Sequence, residues 1–273
     1  MKSLLTMLLS LTCFYSCTKN DGTSTGNPLI NLNVTGSPQP ATAYFRSNKL
    51  WWLLNTAVAY PPPATILDKV GNNVILNQFW INISEIEFKA DEFETSGEIA
   101  GSSVEFPGPY LINVFNPNPQ SIVSGAVAQN LIRRIKYKTK KVGDVSGGNP
   151  AGMVNASIYL TGTINSNNFT IKSGEEVVYE TAGPNLVTFY SGDNLLAQVQ
   201  SAEIIRKIDM SLVPNNAVIS ESNRINTTNA CPEIDSSLSD VYTCFIKAFQ
   251  KKTKVGKDSD GNFSLEPGEA SIN

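Results

Sequence analysis

The sequence predicts a mainly β protein: an antiparallel β-sandwich with a small disulfide-tied helix and an Asp-rich loop at its C-terminal end. Three observations predict it. Between residues 29 and 213, short apolar runs alternate with polar residues and are separated by Pro, Gly and Asn clusters, the period-2 pattern of half-buried strands. Beyond Pro214 the spacing turns helical, with Leu238, Val241, Phe245 and Phe249 at intervals of 3, 4 and 4 residues. Cys231 and Cys244 flank the start of that helix.

Residues 1–16 read as an export signal. Lys2 supplies a positive n-region, and Leu4 to Phe14 form an uncharged apolar run. Phe14-Tyr15-Ser16-Cys17 then sets a small residue before a cysteine, the arrangement that a lipoprotein signal peptidase needs. Cys17 is the expected acceptor of lipid, and Cys13 is a poorer rival because it shortens the apolar run. An ordinary signal peptide and an uncleaved anchor helix are the alternatives; the run falls short of the roughly 20 residues that span a bilayer. Residues 17–28 are rich in Asn, Gly, Ser and Thr, the composition of a tether. The expected location is the cell envelope, at the outer membrane or cell surface, with the periplasmic face as the alternative. Thr18 rather than Asp after Cys17 favours the outer membrane.

Loss of residues 1–16 removes Lys2 and leaves 20 basic against 24 acidic side chains, net −4, which argues against nucleic acid as a partner. In an oxidising compartment Cys231 and Cys244 pair, unless they stay as buried thiols. The chain has no histidine, which removes Ser-His-Asp and Cys-His catalysis and histidine metal sites. Walker and Gly-x-Gly-x-x-Gly loops are also absent. Carboxylate-pair hydrolysis survives that filter, but nothing marks a particular pair. The expected protein is not an enzyme.

The strands follow in order within a domain over 29–214. Ile30, Leu32 and Val34 alternate with polar residues. Leu50 to Tyr60, with Trp51-Trp52, is apolar on both faces and is ended by Pro61-Pro62-Pro63. In the next strand Phe79, Ile81 and Ile83 share one parity and Ile86 and Phe88 the other, so a β-bulge or break is expected at Ser84-Glu85. Further strands are expected at 110–115, 131–139, 153–164, 169–172, 176–181, 186–190 and 203–213, where Ile204, Ile208, Met210 and Leu212 share a parity. Leu195–Ser201 fits helix or strand equally.

The order of Trp80-Ile81-Asn82-Ile83-Ser84-Glu85-Ile86-Glu87, Phe106-Pro107-Gly108-Pro109-Tyr110, Leu131-Ile132-Arg133-Arg134-Ile135 and Ile208-Asp209-Met210 resembles a bacterial family of lipid-anchored domains of unassigned function. That family is similar to transthyretin-like and immunoglobulin-like sandwiches. The resemblance covers about residues 29–213 and implies a fold; it implies no catalytic residue.

Residues 215–273 read as linker, helix and loop. Ser237 with Asp240 three residues on can cap the helix, Lys247, Lys251, Lys252 and Lys254 suit its C-terminal end, and Gly256 suits its stop. Asp258 to Glu269 then resembles an EF-hand-type calcium loop. Asp258, Asp260, Asn262 and Ser264 fall at positions 1, 3, 5 and 7, and Glu269 at 12. Position 6 is Phe263 where the turn calls for Gly, and the alternative is a polar Asp-Gly turn. Calcium is therefore the one candidate cofactor.

A second candidate site lies on the Arg133 strand, where Arg134, Lys136, Lys138 and Lys140 project to one side. It reads as a docking stripe for an anionic polysaccharide or host ligand, or else as a solvated face or lysine-guarded sheet edge. The expected function is a non-enzymatic, surface-exposed binding module held on the membrane by its lipid. The alternative is a structural lipoprotein subunit of a periplasmic or outer-membrane complex.

Overall fold

A computed structural model of the chain describes residues 29–36, 65–89, 103–116, 120–126, 131–143, 150–188, 193–259, 265 and 269–272. The expected anchor at Cys17, its rival Cys13, the tether and the Trp51-Trp52 strand lie outside the described residues. In chain order the elements are β1 (Leu29–Gly36), β2 (Ile66–Leu67), β3 (Asn73–Lys89), β4 (Ser103–Asn113), β5 (Gln120–Ala126), β6 (Leu131–Thr139), a 3-10 turn (Ala151–Met153), β7 (Ile158–Ile164), β8 (Asn167–Ser173), β9 (Val178–Thr188), β10 (Asn194–Val199), α1 (Ser201–Arg206), β11 (Ala217–Ile219), α2 (Val241–Lys251), β12 (Thr253–Lys257) and β13 (Ser271–Ile272).

The strands form two sheets. One has the order β13-β12-β10-β1-β5; the other runs β11-β8-β7-β3-β6-β9, with β2 and β4 also paired to β3. Pairing is mostly antiparallel, as expected, but β1 lies parallel to β10 and β11 parallel to β8. Parallel neighbours need long connections, and both pairs are far apart in sequence, which strand patterns alone do not reveal.

β3 is the spine of the larger sheet, and it bulges twice. The expected register shift falls between Ile83 and Glu85, and a second falls between Leu76 and Gln78. Val74 and Leu76, then Phe79, Ile81 and Ile83, then Ile86 and Phe88 are all buried, although their parity changes twice. Each bulge inserts the residue that returns the next apolar set to the core. At the bulge between Leu76 and Gln78, Gly162 of β7 is required by close approach, because a Cβ there would lie 2.4 Å from the Ile75 carbonyl oxygen.

Two segments depart from the expected elements. The strand expected over 203–213 is instead α1 followed by a turn. Ile204 and Ile208 fit either period, but Ile205 is also buried, which strand alternation would turn outward. Leu212, on the expected buried parity, is 60% exposed. The ambiguous 195–201 segment is the strand β10 followed by α1.

Past Pro214 the chain is woven into both sheets, through β11 in the larger and β12 and β13 in the smaller. α2 is capped by Asp240, whose carboxylate accepts from the Thr243 N–H at 2.7 Å; Ser237 instead donates to Asp235. Phe245 and Phe249 of α2 lie 6.0 Å, centroid to centroid, from Phe79, and Phe249 meets the Tyr179 ring edge-on at 4.8 Å. The Cys231–Cys244 disulfide ties the start of α2 to the preceding loop. The helix ends at Lys251 rather than at Gly256, which lies inside β12.

Candidate functional site

The two expected sites take different forms in the structure. Arg134, Lys136, Lys138 and Lys140 belong to one side of β6, but this is not an open cationic stripe. β6 is an interior strand between β3 and β9, so the guarded-edge reading fails as well. Arg134 is fully buried, with Nη1 3.4 Å from Glu180 Oε1. The register places Lys138 opposite Glu85 and Lys136 opposite both Glu87 of β3 and Glu180 of β9. Lys138 Nζ lies 2.5 Å from Glu85 Oε1, and the Glu85 hydrogen bond holds the ammonium pKa above its ordinary value. Only Lys140 stands fully exposed.

Glu85, Glu87 and Glu105 bring carboxylate oxygens within 4.8 Å of one another, a spacing that could attract a cation. Lys138 pairs with Glu85, however, and Lys89 with Glu87 at 3.2 Å. The lysines already supply the positive charge, so the cluster is a cross-strand ionic ladder.

The Asp-rich loop is not preceded by its helix, as the EF-hand likeness required. It joins β12 to β13, an antiparallel hairpin with Val255 opposite Ile272 and Gly256 opposite Ser271. That hairpin brings the ends of the loop together: Lys257 N–H donates to the Ala270 carbonyl, and Ser259 N–H to Glu269 Oε1 at 2.8 Å. Asp258 is buried. Asp260, Asn262 and Ser264 lie outside the described residues.

Sequence reasoning did not identify one open concavity among the described residues. An open cleft of about 450 Å³ lies between segments 226–229 and 236–239, with Leu212 at its rim and Leu238 in its wall. The walls are held together by backbone pairing. Thr227 N–H donates to the Ser239 carbonyl at 2.8 Å, and Asn226 bridges Asp240. Two buried carboxylates brace the chain here, Asp209 directly at the 226–229 wall and Asp68 at Met210, ahead of Leu212. Asp209 accepts from the Ser211 N–H and the Thr227 hydroxyl. Asp68 accepts from the N–H groups of Val70, Asn72 and Met210. Lys69, in the β2–β3 turn, donates its ammonium to the Asn229 carbonyl at 2.6 Å. Just before the 236–239 segment, hydrogen bonds from Ser237 keep the Asp235 carboxyl below its ordinary pKa, and Lys207 does the same for Glu233. The residues lining the cleft carry hydroxyl, carboxamide and aliphatic groups, with no charge and no aromatic ring. The readable sequence signal was the density of Asn, Ser and Thr in two segments, together with an apolar Leu212.

This cleft lies at the opposite end of the sandwich from the start of β1. The register sets Asn31 beside Asn194 and Leu195 beside Lys257, so Leu29 lies near the mouth of the β12–β13 hairpin. β10 runs parallel to β1 and finishes beside Gly36, about 25 Å away at strand rise. α1 follows directly and packs on β2. Ile208 then accepts from the Lys69 N–H, which carries the chain to the cleft.

Two further features are structural. Ser173 links the Tyr242 hydroxyl to Glu221, whose carboxylate also accepts from the Gly174 and Glu175 N–H groups. Burial pushes the Glu221 pKa up, but those hydrogen bonds outweigh it and hold the carboxyl low. An apolar cavity of about 30 Å³ separates the sheets, lined by residues such as Leu32, Ile81 and Ile135, and is too small for an organic ligand. Comparison of the chain with protein-family models, with curated proteins and with solved structures returned no match.

Proposed function

We propose that this protein is a lipid-anchored binding module of the bacterial cell envelope, held through Cys17 and acting without catalysis at the cleft beside segments 226–229 and 236–239. One observation supports the reading above the others: the open cleft lies at the end of the sandwich opposite Leu29, where the chain enters from the anchor side. A lipid on Cys17 and a tether of residues 17–28 would reach at most about 40 Å when extended. The sandwich would then stand close to the membrane, with the cleft at the end farther from its point of attachment. A hydroxyl- and amide-lined concavity held by buried carboxylate clips suits recognition of a polar ligand.

Metabolic labelling tests the anchor. Mature protein should incorporate labelled fatty acid and partition into detergent, and Cys17→Ala should abolish both. Protease treatment of intact cells then separates the proposal from its alternative. Degradation supports surface display, and complete resistance supports a periplasm-facing structural subunit.

A further inference from the structure

We infer that the cleft is a binding site for a neutral, hydroxyl-rich oligosaccharide. The inference rests on the binding-module reading and names its ligand class. Asn226, Thr228, Asn229, Ser236 and Ser239 are exposed around one concavity, and each side chain can donate and accept at once. Sugar hydroxyls have the same dual character, so carboxamides and hydroxyls can pair with adjacent hydroxyls in several registers. A charged polymer would need fixed countercharge, and among the described residues no charged side chain lines this cleft. Lys69, which reaches the cleft from the β2–β3 turn, is engaged by the Asn229 carbonyl.

A peptide added as a strand would need a free backbone edge. At the cleft that edge is already used, because Thr227 pairs with Ser239, Asn226 with Asp240, and Val241 N–H with the Ile225 carbonyl. Leu212 supplies the remaining element. It is 60% exposed at the rim, where an aliphatic side chain can cover the C–H face of a sugar ring. The 226–229 wall is also held by the Thr227–Asp209 bond, and Asp68 fixes Met210 two residues before Leu212, so little ordering entropy is lost on binding.

The test uses the full-length mature protein, purified in detergent and titrated calorimetrically against neutral glucan, mannan and N-acetylhexosamine oligosaccharides. Heparin fragments and an uncharged peptide of similar size serve as comparators. Saturable binding to at least one neutral oligosaccharide is expected. It should weaken roughly tenfold or more in Asn226→Ala/Ser239→Ala, equivalent to about 1.4 kcal/mol. Leu212→Ser should weaken it independently, and the melting temperatures of both variants should stay near that of the parent. No binding to any neutral oligosaccharide by a folded parent would overturn the inference, as would binding that both variants leave unchanged. Cleft-dependent binding of the peptide alone would sink the glycan assignment and leave the binding-module reading standing. Loss of fatty-acid labelling bears on the anchor and leaves the glycan result untouched.

Discussion

Lys138 Nζ lies 2.5 Å from Glu85 Oε1, immediately after the bulge that shifts β3 by one residue against β6. The bulge sets the phase of the row: beyond it Glu85 and Glu87 of β3 stand opposite Lys138 and Lys136 of β6, and the row ends with Lys89 opposite Arg134. The charged residues of β6 are therefore one half of a ladder whose other half lies in β3, β4 and β9. Positive charge that looks like a surface for polyanions in one strand is neutralised by the neighbouring strands.

A double-mutant cycle on Glu85 and Lys138 should give a coupling of about 0.2–1 kcal/mol, because both side chains remain about a quarter to a third exposed. Charge reversal by Lys138→Glu should cost more than Lys138→Ala, since it faces Glu85, Glu87 and Glu105. Chemical denaturation of the four proteins at low salt measures both. A coupling near zero together with a harmless reversal would place these side chains in open solvent.

Reduction of Cys231–Cys244 should lower stability by on the order of 3 kcal/mol, from the entropy of a loop of about 14 residues. The double Cys231→Ser, Cys244→Ser variant should match the reduced parent in denaturant midpoint. The cleft wall at 226–229 lies just before Cys231, so reduction should also raise amide exchange there. Unchanged exchange would mean that the aspartate clips alone fix the wall.

Phe249→Ala should cost about 3–5 kcal/mol, because the ring is buried against Phe79, Phe245 and Tyr179. More telling is the shape of the transition. With α2 in the same core as β3 and β9, a single cooperative melt should move to lower temperature. A separate early transition with the sheets intact would show that the residues beyond Pro214 fold as an appendage.

The bulge at Ser84-Glu85 was legible because the parity of buried residues flips there within an unbroken apolar strand. The flip between Leu76 and Phe79 carried the same information, but Asn77 and Gln78 disguised it as the strand's polar edge. α1 was not legible, since Ile204 and Ile208 satisfy both periods and only the burial of Ile205 decides. The loop after Lys257 kept its ends but lost its helix, because the lysines after Phe249 suit a helix terminus and a strand alike. The cleft was least legible of all. Its walls come from segments that share no motif, and they are positioned by Asp68 and Asp209, whose roles depend on contacts far away in sequence.

Alkaline titration offers a test of the core itself. Tyr137 and Tyr179 stack with ring centroids 5.2 Å apart, and burial pushes both phenols above their ordinary pKa. Burial also raises Tyr242, with the Ser173 hydroxyl bond opposing it. In the unfolded chain each phenol ionises near pH 10, whereas the native state keeps its proton. Above that pH the unfolded state binds fewer protons than the native state, so stability falls as pH rises; below about pH 9 these groups contribute no slope. Of the eight tyrosines that remain once residues 1–16 take Tyr15 with them, three should therefore be missing from the reversible phenolate signal and appear only with unfolding. Tyr179→Phe gives the sharper measurement. Its hydroxyl is buried without a hydrogen-bond partner, so its removal should leave neutral-pH stability within roughly 1 kcal/mol or raise it. The alkaline unfolding midpoint should move upward at the same time. If that midpoint stays put while all eight phenols titrate reversibly near pH 10, the Tyr137–Tyr179 stack is not the core of this sandwich.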